Sequence, residues 1–116
     1  MSLIALVDYD SGNLHSAHKA FERMAHEAGR GTVVVTSEPD VVAKADRIVL
    51  PGDGAFPACR KALSGMCGLA EAIVEAVEKD GKPFLGICVG MQMLATIGHE
   101  YEGTAGFDWI GGEIVK

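Results

Sequence analysis

Four short apolar runs constrain any fold of this chain: "LIALV" (3–7), "TVVVT" (32–36), "RIVLP" (47–51) and "PFLGI" (83–87). They are continuous rather than alternating, which is how a strand reads when both faces of its sheet are covered. Between them the apolar period changes to three and four. Leu14, Ala17, Phe21, Met24, Ala25 and Ala28 trace one helix face, with Asn13 as its cap and Gly29 as its stop. Ser37 is placed to cap a short second helix with Pro39 in its first turn. Phe56, Cys59 and Leu63 mark a third helix; Leu69, Ile73, Val74 and Val77 mark a fourth, which ends at Gly81. After the fourth strand, "GMQMLATI" (90–97) reads as a helix and "WIGGEIVK" (109–116) as a final strand.

Strands that alternate with helices in this way are joined by crossovers, and crossovers make parallel neighbours. The expected fold class is therefore α/β: a three-layer, mostly parallel sheet with helices on both faces. At 116 residues the chain has room for one domain and not for two. A strand candidate running to the last residue with no helix after it is an abrupt ending for such a fold.

Composition narrows function by exclusion. The net charge is −6, with Lys and Arg scattered, so there is no basic stripe for nucleic acid. No run approaches the ~18 apolar residues of a membrane span. The start, "MSLIALVDYD", turns acidic at once and lacks the basic opening and cleavage region of a signal peptide, which places the protein in the cytoplasm. Three cysteines, an odd number, argue against a disulfide framework. Cys59 and Cys67 have no companion Cys or His at finger spacing, so no metal site is expected.

The chemistry sits in "GICVGMQ" (86–92). Gly86-Ile87-Cys88-Val89-Gly90 is a Gly-x-Cys-x-Gly pattern between an expected strand and an expected helix, the context of a nucleophile elbow. Such a turn strains its central residue and leaves no room for side chains two positions away, which is why glycines stand there. The sulfur then projects above the carboxyl ends of the strands, where open parallel sheets bind ligands. The N-terminus of the following helix favours thiolate over thiol. The plainer reading, a small buried residue beside a tight turn, does not explain both glycines. Acyl chemistry also needs donors for a negative oxygen. One is the backbone N–H of Val89, just after the nucleophile. The other would come from "LPGDGAF" (50–56), a glycine-rich loop at the end of the third strand, where Gly52 and Gly54 free the backbone to turn its amides inward. By spacing alone that loop is equally an ordinary Pro-Gly turn.

Together, "LPGDGAF" and "GICVGMQ" resemble the class I, triad-type glutamine amidotransferases. The N-terminal "VDYDSGNLHSA" (7–17) is similar to one branch, the glutaminase subunits of imidazole glycerol phosphate synthases in histidine biosynthesis. "GICxGMQ" alone is shared with other members, such as the GMP and CTP synthetase glutaminases. The resemblance spans the chain. It implies that Cys88 attacks the side-chain amide carbon of L-glutamine, that ammonia leaves, and that water hydrolyses the thioester to glutamate. It implies a heterodimer with a (β/α)8-barrel cyclase subunit that receives the ammonia, and no cofactor. Carried over by position, Val89 with the Gly52-Asp53 loop forms the oxyanion hole. Gln92 and Glu100 contact glutamine, and Gly12 and Asn13 face the cyclase. Asp53 departs from the apolar residue usual at its position, and a carboxylate beside a developing oxyanion opposes it unless turned away or paired.

A cysteine nucleophile of this kind needs a histidine to move its protons and a carboxylate to orient that histidine. In this family they form a His-x-Glu pair well downstream. The four histidines here are His15, His18, His26 and His99, and none has Glu two residues later. His99, if carried by the helix after Cys88, would lie about 15 Å away, too far for direct transfer. The chain is thus expected to be the N-terminal portion of a single glutamine amidotransferase domain, without the part that holds the triad His and Glu. Alone it is expected to be inactive and marginally folded, with sheet edges and apolar helix faces uncovered. Competing readings are the glutaminase of another class I amidotransferase, a cysteine-elbow hydrolase of the dienelactone-hydrolase or DJ-1 kind, and a docking module that binds the cyclase without chemistry. Gln92 and the "PGDGAF" loop speak against the cysteine-elbow hydrolase.

Overall fold

The structure, a computed structural model, describes residues 3–9, 14–27, 29, 31–52, 55–99 and 103–115, with backbone only for 14–17. Its main sheet holds four parallel strands: β1 (Leu3–Val7), β2 (Thr32–Thr36), β3 (Arg47–Leu50) and β4 (Phe84–Gly86), in the order β2-β1-β3-β4. Leu3 stands opposite Thr32, Ile4 opposite Arg47, and Leu50 opposite Gly86. The crossovers are α1 (Leu14–Glu27), α2 (Pro39–Lys44), and the pair α3 (Phe56–Ser64) and α4 (Leu69–Val74). α4 runs on as one wider π-helical turn, Glu75–Lys79, and the chain leaves it through Gly81 at φ 66°.

The period of two along a strand divides the core into two layers. Ala5, Val7, Ile48 and Leu50 face α2, α3 and α4, where Val42, Phe56, Leu63, Leu69 and Ile73 meet them. Leu6, Val33 and Val49 face the other way, toward Phe21 and Ala25 of α1. Phe56, Leu63, Leu69 and Ile73 are fully buried, each contributing about 1.5–3 kcal/mol. The expected α/β architecture, a mostly parallel sheet with helices, is the one observed.

Two local expectations are corrected. Ser37 does not cap α2; the helix starts after Glu38, with no side-chain cap, and Thr36 Oγ1 accepts the Glu38 N–H instead at 3.0 Å. The helix read over 90–97 stops after one turn, as α5 (Val89–Gln92), and Ala95–Gly98 forms β5. β5 lies between β6 (Thr104–Ala105), antiparallel, and β7 (Ile110–Ile114), parallel, in a second sheet; the final strand joins this sheet and not the main one. The backbone carbonyls that would continue α5 are taken from outside it. Met93 O accepts the Phe107 N–H at 2.7 Å, Leu94 O the Trp109 N–H at 2.9 Å, and Ala95 O the Asp108 N–H at 3.1 Å. Helical spacing could not reveal those donors, which come from distant residues.

An aromatic column ties the second sheet to the first. The Arg60 guanidinium lies 4.8 Å from the Phe107 ring centre, Phe107 stacks on Trp109 at 4.6 Å, and Trp109 meets Phe84 of β4 edge-on at 5.3 Å. Each ring pair contributes about 0.5–1.5 kcal/mol beyond its buried area. Burial pushes the Arg60 guanidinium below its usual value while Glu71 opposes the shift, and the group remains a cation at neutral pH. Among the described residues no helix is long and apolar enough to cross a membrane.

Candidate active site

β3 and β4 are neighbours that end level with each other, so the loops leaving them emerge together. The Ile87 N–H donates to Leu50 O at 3.0 Å and closes the gap between the two loops. Cys88 follows with φ 54° and ψ −119°, a conformation that costs a non-glycine residue about 1–3 kcal/mol. The turn is closed by Gly90 N–H on Ile87 O at 3.0 Å, and by Met91 and Gln92 N–H on Cys88 O at 3.0 and 3.1 Å. These bonds offset the strain at Cys88 and keep it there.

Three glycines explain why the turn fits. A Cβ on Gly86 would stand 2.7 Å from the Met91 backbone, and one on Gly90 would overlap the Leu50 carbonyl. A Cβ on Gly52 would lie 2.8 Å from Gly90 N and 2.9 Å from Val89 Cβ. The Pro51-Gly52 segment therefore rests directly on the elbow, with no space for a side chain between them. Cys88 and Cys67 are exposed thiols, and Cys59 is buried in the core.

The Val89 N–H is the first of α5 and has no intrahelical acceptor. Among the described residues it donates to no backbone carbonyl. The Gly52 backbone lies against the same residue: a Cβ on Gly52 would come within 2.9 Å of Val89 Cβ. The expected help from a helix macrodipole shrinks, because α5 is one turn long and aligns few peptide units. Gln92 closes α5, is partly buried, and is held by its backbone bond to Cys88 O. Gly12, Asn13, Asp53, Gly54 and Glu100 lie outside the described residues.

Tyr9 lies in the N-terminal stretch that carries the family resemblance but was assigned no role at the site, yet it belongs to this corner. It follows β1 and is fully buried, and its phenol donates to Pro51 O. An aromatic residue set between two aspartates, in "VDYD" at a strand end, is the one sequence signal for it.

Among the described side chains, no histidine is bonded to Cys88; that of His15 lies outside them. His18 lies 3.5 Å from Glu22 along α1, and His26 is exposed on the same helix. His99 is not borne on a helix, so the distance estimated from one does not apply. It follows β5, donates its backbone N–H to Ile114 O at 2.9 Å, and pairs through Nε2 with Glu113 Oε1 at 2.9 Å. This His–carboxylate pair is built by strand register and is invisible to a search at fixed spacing. No contact among the described residues joins it to Cys88.

The chain matches the family "Glutamine amidotransferase class-I" over residues 5–106. It is similar to "Imidazole glycerol phosphate synthase subunit HisH" of Ruegeria pomeroyi, 66% identical over 114 residues, covering 98% of this chain and 54% of that protein. The protein of the same name from Cereibacter sphaeroides is 67% identical over 114 residues, with the same coverage of each chain. That from Rhizobium meliloti is 55% identical over 113 residues, 97% of this chain and 52% of its own. The chain thus spans about half the length of the curated relatives it matches.

Proposed function

The chain belongs to the class I glutamine amidotransferases, and from that premise we propose that it forms the N-terminal portion of a single glutaminase domain serving imidazole glycerol phosphate synthase. In this reading the Cys88 thiolate attacks the carboxamide carbon of L-glutamine. The tetrahedral oxyanion is met by the Val89 N–H and by the Gly52-Asp53 loop. The C–N bond then breaks, ammonia leaves with the proton it needs, and water hydrolyses the thioester to glutamate. Gln92 and Glu100 contact the substrate glutamine. Gly12 and Asn13 face a (β/α)8-barrel cyclase in a cytoplasmic heterodimer, and ammonia passes to it. No base for these proton transfers stands among the described contacts of Cys88, so a polypeptide of these 116 residues is expected to turn over glutamine poorly by itself.

One observation carries the reading: a non-glycine residue at positive φ, flanked by two glycines whose Cβ atoms the turn could not hold. The test is covalent labelling by a glutamine-analogue electrophile. Modification at Cys88 that L-glutamine suppresses supports the proposal; modification that glutamine leaves untouched contradicts it. Asp53 gives a further prediction. Asp53→Val removes a carboxylate from the loop proposed to hold the oxyanion, so the basal glutaminase rate of the full-length protein should rise several-fold. An unchanged rate would mean that the Asp53 side chain points away.

A further inference from the structure

We propose that Tyr9 is a positioning residue for this chemistry, its buried phenol fixing the direction in which the Gly52 N–H points; the inference rests on the glutaminase reading above. The Tyr9 O–H donates to Pro51 O, and Tyr9 has no exposed surface. Pro51 C=O and Gly52 N–H belong to one planar peptide, which is trans like every peptide described here. In a trans peptide the two groups point in opposite directions, so holding the carbonyl also aims the amide. That restraint matters because Gly52, lacking a Cβ, has little resistance of its own to rotation about its flanking bonds. With the phenol in place, turning the peptide over would break a buried hydrogen bond and leave the phenol without that acceptor.

The geometry brings the three parts to one point. A Cβ built on Gly52 would be 2.6 Å from the Tyr9 hydroxyl, 2.8 Å from Gly90 N and 2.9 Å from Val89 Cβ. Phenol, loop and elbow therefore meet around the Gly52 α-carbon. The anchor is rigid as well. Tyr9 follows β1 directly, β1 lies between two parallel neighbours, and the Asp8 N–H is tied to Thr36 O at 2.8 Å.

The experiment uses the full-length glutaminase in complex with its cyclase. Tyr9→Phe keeps the ring and removes only the hydroxyl. The expected result is a fall of about ten- to hundredfold in kcat for glutamine hydrolysis, with KM for glutamine unchanged. The rate at which iodoacetamide alkylates Cys88 should stay at the wild-type value, because that displacement develops no oxyanion. A structural role alone would not produce this split. Wild-type kcat in Tyr9→Phe overturns the inference, as does an equal fall in hydrolysis and alkylation, or a fall accompanied by collapse of thermal melting. Cys88→Ala separates the two levels. If Cys88→Ala is dead while Tyr9→Phe is normal, only the role of Tyr9 fails; if Cys88→Ala still hydrolyses glutamine, the glutaminase reading fails and takes this inference with it.

Discussion

Alanine in place of Cys88 is expected to cut glutamine hydrolysis by the full-length glutaminase–cyclase complex on the order of 10⁴-fold or more, with glutamine affinity held within a few-fold. The covalent route has no substitute nucleophile: Cys59 is buried in the core, and Cys67 lies in the turn between α3 and α4, not on the elbow. The substitution is also unusually clean. Cys88 is exposed, so losing its sulfur opens no cavity, and alanine carries the same Cβ into the same positive φ. Backbone strain and the bonds of the turn are therefore unchanged. Whatever activity remains would come from the oxyanion donors and from binding, without the thioester. Ammonia release measured under saturating glutamine reads the effect directly. A fall of less than about tenfold would remove Cys88 from the chemistry.

The largest expected effect on folding is at Gly90. A Cβ there would overlap the Leu50 carbonyl and come within 3.2 Å of Pro51 O. Both are backbone atoms of the strand end that Ile87 bonds, so neither can yield without parting β3 from the elbow. Gly90→Ala should cost about 3 kcal/mol or more, at the upper end of overpacking penalties, and should displace Cys88 from its position. Gly111→Ala is the companion variant: nothing lies within 4 Å of a Cβ there, and its φ is not in the left-handed region. It should change stability by less than about 0.5 kcal/mol. Denaturant midpoints of the two full-length variants give the comparison. Equal midpoints would mean that the close approach of elbow and loop does not constrain the fold.

The main sheet was legible because its strands are short, continuous apolar runs, and because helical spacing returns between them. The elbow was legible for a different reason. Gly86 and Gly90 flank Cys88 at the spacing where the turn excludes side chains, so a steric requirement is written into residue identity. α5 was overextended because Gly90 through Ile97 keep an apolar character that suits a helix or a strand. Donors from Phe107, Asp108 and Trp109 decide between the two, and local sequence does not contain them. The same limit hid the His99–Glu113 pair, which depends on how β5 and β7 align. Tyr9 was missed because its role requires the end of β1 to lie beside the loop leaving β3. That adjacency comes from strand order and not from any motif.

The central claim is that glutamine is cleaved through a thioester on Cys88. Its most direct test is acid quenching of the full-length complex during turnover, followed by mass analysis of its peptides. The account predicts one added glutamyl group on the peptide containing Cys88, released by hydroxylamine and lost in Cys88→Ala. A glutamyl adduct on any other residue, or steady turnover by Cys88→Ala with no adduct at all, would contradict it.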